Sequence, residues 1–180
     1  MNYGYFLTIF IVLNIYSFCY LNENEGKLPI SVSILLKQNF LIALKCFQPK
    51  YGVWSSKGYN NGDINLKENR YYVRKGLSGD YTISLESSVN KGYFWRVHNS
   101  KLNLEYNDGT DLFLKEASFI PVPGLQDYHL LSLRSFQYPR QYVRHFIGKI
   151  IASGGSDNGV FLQDATWNVI SFDNNLKKIN

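Results

Sequence analysis

A chain of 180 residues has room for one domain with a substantial hydrophobic core. It is too short for a binding module joined to a large catalytic domain, so we expect a single domain. The formal net charge of +5 at pH 7 is spread along the chain, which is typical of a soluble protein and does not indicate a nucleic-acid partner.

The first 20 residues contain no Lys, Arg, Asp or Glu and include an apolar run from about Phe6 to Tyr16. This run is too short to cross a bilayer unaided, and Ser17 and Cys19 fit the small-residue pattern of a cleavage site. We therefore predict a secretory signal peptide over residues 1–19 and an extracellular mature protein without a membrane span. An uncleaved anchor is the alternative.

Cleavage after Cys19 would leave Cys46 as the one cysteine of the mature protein, so no intramolecular disulfide could form. Its neighbours in "LIALKCF" favour a buried thiol, with an intermolecular link as the alternative. We expect residues 20–32 to form an N-terminal segment and residues 33–180 to form the domain, whose stability must come from packing.

Several motifs recur along the chain with one period, which is roughly 48 residues. The stretch "SLESSVNKGYFWRV" from Ser84 aligns with "SLRSFQYPRQYVRH" from Ser132. Three further stretches, "LKENRY", "LKEASF" and "LQDATW", end at Tyr71, Phe119 and Trp167 with the same spacing. We expect these aromatic residues to be core residues repeated by symmetry.

The Gly-Leu pairs that begin at Gly76 and Gly124 share this spacing, as do Leu85 and Leu133, which we also expect in the core. The period predicts three repeats over about residues 33–80, 81–128 and 129–176.

Each repeat has the composition of short strands separated by turns, such as "YVRH", "KIIA", "VFL" and "WNVISF". No stretch holds a helical apolar period long enough to predict a helix. Three such repeats can close around a threefold axis and remove the exposed sheet edges. The sequence therefore predicts an all-β fold, a β-trefoil, with a linear β-solenoid as the alternative.

The combination of "SLRSFQYPRQYVRH", "DATW" and "NDGTDLF" followed by "EASFIPVPGL" resembles the arabinose-binding domain of α-L-arabinofuranosidase B, the family 42 carbohydrate-binding module. The resemblance covers the second and third repeats almost throughout and the second half of the first. It implies a β-trefoil that binds arabinofuranose side chains.

In that family, a competent repeat holds the sugar with a histidine just after a "YxR" strand and an aspartate three residues before the aromatic. In the third repeat, His145 follows "YVR" and Asp164 lies three residues before Trp167. The resemblance therefore implies that His145 and Asp164 bind sugar. Read without it, the two residues would be interpreted as a hydrogen-bonded pair that tethers two loops.

The other repeats depart from this pattern. In the second repeat Val97 stands at the histidine position and Glu116 at the aspartate position, while His98 lies one residue too late. Because neighbouring strand residues face opposite ways, we expect His98 to reach the site only if a bulge re-aims it. The first repeat has Glu68 at the acidic position and no histidine.

One carboxylate per repeat can accept hydrogen bonds from sugar hydroxyls, but glycoside hydrolysis usually needs two carboxyl groups beside the bond. We therefore expect a binding protein, not an enzyme, and no cofactor. The three histidines are scattered and predict no metal site, and His129, which matches no family position, is expected on the surface.

We expect the partner to be an arabinofuranose-containing or other glycan. A protein-interaction domain with degenerate sugar sites is the first alternative. Binding of an acidic glycan through Arg134, Arg140 and Arg144 is the second. The sequence leaves the oligomeric state open.

Overall fold

The structure is a computed structural model that describes residues 41–46, 54–55, 58–59, 66–147, 149–155 and 158–172. The predicted signal peptide and the segment 20–32 lie outside the described residues. The backbone of Cys46 is described in a strand, and its side chain is not.

The described chain is built mainly of strands, joined by two six-residue helices and a 3-10 turn over Lys67–Asn69. The helices are α1 (Asp111–Glu116) and α2 (Gly159–Asp164). The strands are β1 (Leu41–Cys46), β2 (Trp54–Ser55), β3 (Gly58–Tyr59), β4 (Tyr71–Lys75), β5 (Ile83–Ser87), β6 (Tyr93–His98), β7 (Lys101–Tyr106), β8 (Phe119–Pro123), β9 (Leu131–Ser135), β10 (Gln141–Phe146), β11 (Lys149–Gly154) and β12 (Trp167–Ser171).

Ten of these strands form one sheet in the order β10-β11-β7-β6-β5-β4-β1-β12-β9-β8, and β2 pairs with β3 in a separate hairpin. Further pairings link β10 to β9, through Tyr142 and Arg134, and β5 to β8, through Ile83 and Phe119. Because these pairings return the two end strands to the sheet, it has a closed, barrel-like form. The prediction of an all-β fold is confirmed at this level.

The interior of the sheet is filled by the residues that recur in the sequence. Tyr71, Phe119 and Trp167 are fully buried in one hydrophobic cluster, together with Leu85 and Leu133. The prediction that they are core residues is confirmed.

Strands β5 to β8 and helix α1 each have a counterpart of the same length one period later, in β9 to β12 and α2. Strand β1 departs from this spacing. Cys46 pairs with Trp167 as Ser87 pairs with Tyr71 and Ser135 with Phe119. Cys46 therefore has a pairing position equivalent to those of Ser87 and Ser135, but it lies closer to Ser87 along the chain than Ser87 does to Ser135. The segment that joins β1 to β5 is correspondingly shorter.

The "VFL" stretch, for which the sequence predicted a strand, belongs to helix α2, so that prediction is wrong. The side chain of Asn158 accepts a hydrogen bond from the Phe161 amide at 2.8 Å and caps the helix. Phe161 is buried while Val160 is 65% exposed. A six-residue helix with one buried apolar side chain is too short to show a helical period in the sequence.

Recurring serine and threonine residues tie each helix end to the preceding loop. The Ser84 hydroxyl donates to the Ala117 carbonyl, and the Ser132 hydroxyl donates to that of Ala165, both at 2.7 Å. Thr166 likewise accepts from the Gln126 amide and donates to the carbonyl of Leu162. Several of the residues that recur in the sequence therefore hold the loops and helix ends in place.

The two recurring Gly-Leu pairs have a steric cause. Gly76 donates its amide to the Thr82 carbonyl, and Gly124 donates to that of Leu130, at 2.9 and 3.0 Å. A Cβ on Gly76 would overlap the Thr82 side chain, and one on Gly124 would overlap the Asp127 carbonyl oxygen. Only glycine fits these two tight turns.

Among the described residues, no helix has the length and apolar character needed to span a bilayer.

Candidate functional site

Each of the two helices ends at an acidic residue, Glu116 in α1 and Asp164 in α2. The helices begin at equivalent caps, since Thr110 accepts from the Phe113 amide as Asn158 accepts from that of Phe161. Both acids are therefore placed by the same local structure beside a hairpin, β6–β7 for Glu116 and β10–β11 for Asp164.

The structure brings His145 and Asp164 together, as the sequence predicted. The distance from His145 Nε2 to Asp164 Oδ1 is 2.8 Å, and both residues are 5% exposed. His145 lies near the end of β10 on the side of the buried Val143, while Asp164 is the last residue of α2. The pair thus joins a hairpin to a helix end.

A third side chain, Arg144, lies at the other oxygen of the same carboxylate. Its Nη2 is 3.8 Å from Asp164 Oδ2. The guanidinium also lies over two aromatic rings, with its Cζ 4.7 Å from the Phe146 centroid and 5.2 Å from the Phe161 centroid. Such contacts hold the cation in place. Asp164 therefore has one close and one distant basic neighbour.

Burial raises the pKa of Asp164 above the usual range of an aspartate, although the nearby His145 and Arg144 act in the opposite direction. The desolvation of this carboxylate is thus incompletely compensated by its protein neighbours. A carboxylate in this situation can gain from further hydrogen-bond donors, such as sugar hydroxyls.

Glu116 occupies the corresponding place at the end of α1, beside the β6–β7 hairpin, but its carboxylate is saturated with hydrogen bonds. Its carboxylate accepts from Arg96 Nε at 2.7 Å and from the Tyr138 hydroxyl at 2.6 Å, and His98 Nδ1 lies at 3.0 Å. Its side chain is 0% exposed. We call this group, with Glu105, which binds Arg96 at 2.9 Å, the Glu116 cluster.

Burial by itself raises the pKa of Glu116, but the hydrogen bonds from Tyr138, Arg96 and His98 outweigh it and lower the pKa below the ordinary value. The charged form is therefore well stabilised within the protein. This carboxylate has little left to offer a ligand.

The expectation that His98 needs a bulge to reach the acid is wrong. The β6–β7 register runs without interruption from Tyr93 opposite Tyr106 to His98 opposite Lys101. His98 follows Arg96 on one face of the strand, and Glu116 lies on that face. Val97 points the other way and is fully buried in the core, where no ligand can reach it.

The remaining candidate residues lie elsewhere. Glu68 is half-buried in the 3-10 turn before β4. His129 is exposed, so the prediction that it lies on the surface is confirmed, and its ring lies beside that of Tyr128. Of the three arginines proposed to bind an acidic glycan, Arg140 is exposed and Arg134 half-buried, whereas Arg144 is already engaged with Asp164.

Several contributors to these sites were not predicted, among them Arg96, Glu105, Tyr138 and Phe161. Arg96 and Arg144 stand one period apart in the recurring motifs, so the period could have marked them as neighbours of the acids. Tyr138 has no such signal, because it reaches Glu116 from another part of the chain.

Within the described residues, no three His, Cys, Asp or Glu side chains are grouped so that they could hold a metal ion.

These features define an all-β domain with a closed barrel-like sheet and buried acid–base groups where helix ends meet hairpins. The crystal structure of the BEL β-trefoil has this kind of fold, with a TM-score of 0.56 and 14% identity, over 74% of this chain and 94% of that one. A likeness at this identity concerns the fold alone.

The family model described as the Alpha-L-arabinofuranosidase B (ABFB) domain matches residues 51–169, and the chain belongs to this family. The resemblance drawn from the motifs is thereby confirmed. A probable α-L-arabinofuranosidase B of Aspergillus clavatus is 36% identical over 105 residues, which are 55% of this chain and 21% of that protein.

A solved arabinofuranosidase complexed with arabinofuranosyl-α-1,2-xylobiose has a TM-score of 0.62 and 25% identity, over 73% of this chain and 31% of that one. The chain thus spans about a fifth to a third of the length of these relatives. The match is to the binding domain, which is consistent with the absence of a catalytic domain from the matched segment.

Proposed function

We propose that this protein is a secreted, non-catalytic carbohydrate-binding module that holds a furanose side chain at His145 and Asp164. The observation that carries the proposal is the buried pair itself, with 2.8 Å between His145 Nε2 and Asp164 Oδ1. The Asp164 carboxylate can accept further hydrogen bonds from sugar hydroxyls, and the His145 imidazole can fix the orientation of the sugar ring. Membership of the arabinofuranosidase B domain family supports an arabinofuranose as that sugar.

The fold that we propose for this function is a β-trefoil of three repeats. The strands and the two helices that recur with the sequence period support it. The pairing of Cys46 with Trp167 supports a first repeat that joins the barrel like the others but is shorter. In this arrangement the Asp164 site belongs to the third repeat and the Glu116 cluster to the second.

A single site of this kind should bind weakly, because avidity requires several sites engaged together. The test is titration of arabinofuranosyl-decorated oligosaccharides into wild type, His145→Ala and Asp164→Ala. We expect each variant to lose at least about tenfold in affinity, as is usual when a charged hydrogen-bonding partner is removed. His129→Ala, which removes a histidine elsewhere, is the matched control and should bind as wild type does.

Wild type that binds no furanoside, or site variants that bind as tightly as wild type, would refute the assignment. Affinity for a neutral furanoside should also be nearly independent of salt. A steep loss of affinity with salt would favour the acidic-glycan alternative.

The second candidate function is a protein-interaction domain that has kept the scaffold. The saturated Glu116 cluster favours it, because one of the expected sugar sites is closed. Recovery of a protein partner from extracellular fluid, unchanged in His145→Ala, would support this candidate over the glycan.

Secretion and the absence of catalysis complete the proposal. The N-terminal sequence of the exported protein should begin at Tyr20 if the signal peptide is cleaved after Cys19. Purified protein should release no arabinose from a chromogenic arabinofuranoside, and sustained release would overturn the non-catalytic assignment.

A further inference from the structure

The tip of the β10–β11 hairpin exposes two apolar residues beside the Asp164 site. Phe146 is 45% exposed and Ile147 is 82% exposed. Phe146 directly follows His145, and its ring lies 4.7 Å from the Arg144 guanidinium that faces Asp164. The apolar tip and the carboxylate are therefore joined through one side chain.

The backbone of this tip is strained. Ile147 has a φ of 46°, in the left-handed region that β-branched residues rarely adopt. The residue that follows β6 in the β6–β7 hairpin is Asn99, with a φ of 51°, and asparagine tolerates this region well. A strained residue that is also exposed and apolar has a cost in stability that packing does not explain.

The corresponding tip of β6–β7 is polar throughout. His98 stands where Phe146 stands, and it is bound to Glu116. Asn99 and Ser100 follow, and the Ser100 hydroxyl accepts from the Gln141 side chain. The apolar surface therefore accompanies the site whose carboxylate is still open to a ligand and is absent from the saturated one.

We propose that Phe146 and Ile147 form a platform for the pyranose ring to which the furanose is attached. This inference rests on the proposed function. A furanose side chain held at His145 and Asp164 is linked through its anomeric carbon to the next ring, which must leave the site across the adjoining surface. The C–H face of a pyranose matches an apolar surface, and such surfaces usually line sugar and other small-molecule sites beside a few polar groups.

The platform makes the module selective for furanose that decorates a polysaccharide chain over free furanose. Affinity should be compared for methyl α-L-arabinofuranoside and for arabinofuranosyl-α-1,2-xylobiose, in wild type and in Ile147→Asn. Wild type should bind the trisaccharide about threefold to tenfold more tightly, which corresponds to the burial of part of an apolar side chain. Ile147→Asn should reduce this ratio to about one, and it places at the tip the residue that the other hairpin already holds there.

Leu112→Asn is the matched control, since Leu112 is a 44% exposed apolar residue on α1, and it should keep the wild-type ratio. Phe146→Ser is a second variant that should also lower the ratio. Equal affinity of wild type for the two ligands, or an unchanged ratio in Ile147→Asn, would overturn the platform and leave the furanose site standing.

Wild type that binds neither ligand would instead refute the proposed function, and the platform with it. The tip could also be covered by a second copy of the chain. Sedimentation of the free proteins tests this, and a wild-type dimer that Ile147→Asn dissociates would overturn the glycan platform.

Discussion

Glu116 and Asp164 end equivalent helices one period apart, and an arginine stacked on a buried phenylalanine lies beside each of them. Glu116 meets Arg96, His98 and Tyr138 at 2.6 to 3.0 Å, while Asp164 has His145 at 2.8 Å and Arg144 only at 3.8 Å. The comparison shows that one scaffold position holds a carboxylate saturated by its neighbours at the end of α1 and a less compensated carboxylate at the end of α2.

The difference follows from three paired sequence changes. Val97 and His98 correspond to His145 and Phe146 one sequence period later, and Glu116 corresponds to Asp164 at the same spacing. The histidine thus changes strand face, and the acid changes length by one methylene. The outward His98 saturates the longer acid, whereas the outward Phe146 cannot donate a hydrogen bond to the shorter one.

The largest effect should come from removing the saturated carboxylate. Glu116→Ala leaves the half-buried Arg96 without its closest partner, and we expect it to lower the free energy of unfolding by about 3–5 kcal/mol. Asp164→Ala should cost much less, because its carboxylate is poorly compensated. Chemical denaturation of both variants measures the difference, and equal losses would contradict the comparison.

A smaller loss should follow removal of one donor to Glu116. Tyr138→Phe deletes the hydroxyl that lies 2.6 Å from the carboxylate, and a hydrogen bond to a charged group contributes about 1.5–3 kcal/mol. Tyr106→Phe, which changes a tyrosine that is 63% exposed, is the control for deletion of a phenolic hydroxyl. Furanoside affinity should be unaffected by Tyr138→Phe, and a parallel loss of affinity would place Glu116 in the ligand site.

Removal of either helix cap should lower stability by a similar amount, whereas removal of the two acids should not. Thr110→Ala and Asn158→Ala each delete one side-chain bond to a helix amide, and each should cost about 1 kcal/mol. Thermal unfolding of the two variants provides the measurement. A much larger loss for one cap would mean that the helices, and not only their acids, differ in role.

The pH dependence of stability should have opposite signs at the two acids. The pKa of Glu116 is lowered in the folded protein, so its contribution is present above the unfolded value and is lost as pH falls below about 4.5. The pKa of Asp164 is raised, so the folded state takes up a proton first and the contribution of this carboxyl to stability rises as pH falls toward about 3.8.

Urea denaturation across this pH range, with Glu116→Gln and Asp164→Asn as references, measures each contribution. The loss in free energy of unfolding, relative to wild type at the same pH, should become smaller in acid for Glu116→Gln. It should become larger in acid for Asp164→Asn. Curves of the same sign for both variants would show that the two carboxylates have similar surroundings.

The sequence could predict which residues form the core and the candidate site, but not all of the side chains that contact them. Its period placed Tyr71, Phe119 and Trp167 in the core, and the family motif identified His145 and Asp164 as a pair. The helices escaped prediction because one turn with a single buried phenylalanine carries no period. His98 was misjudged because strand alternation gives the face of a side chain but does not say which face the acid occupies.

The sequence by itself determined the family, the recurring core and the two residues of the candidate site, because these depend on residue type at a fixed spacing along the chain. Only the tertiary structure decided that Glu116 is surrounded by three close hydrogen-bonding partners, whereas Asp164 has one close and one distant basic neighbour. Hydrogen bonding is a matter of distances in space, and Tyr138 lies 22 residues beyond the carboxylate that it helps to saturate.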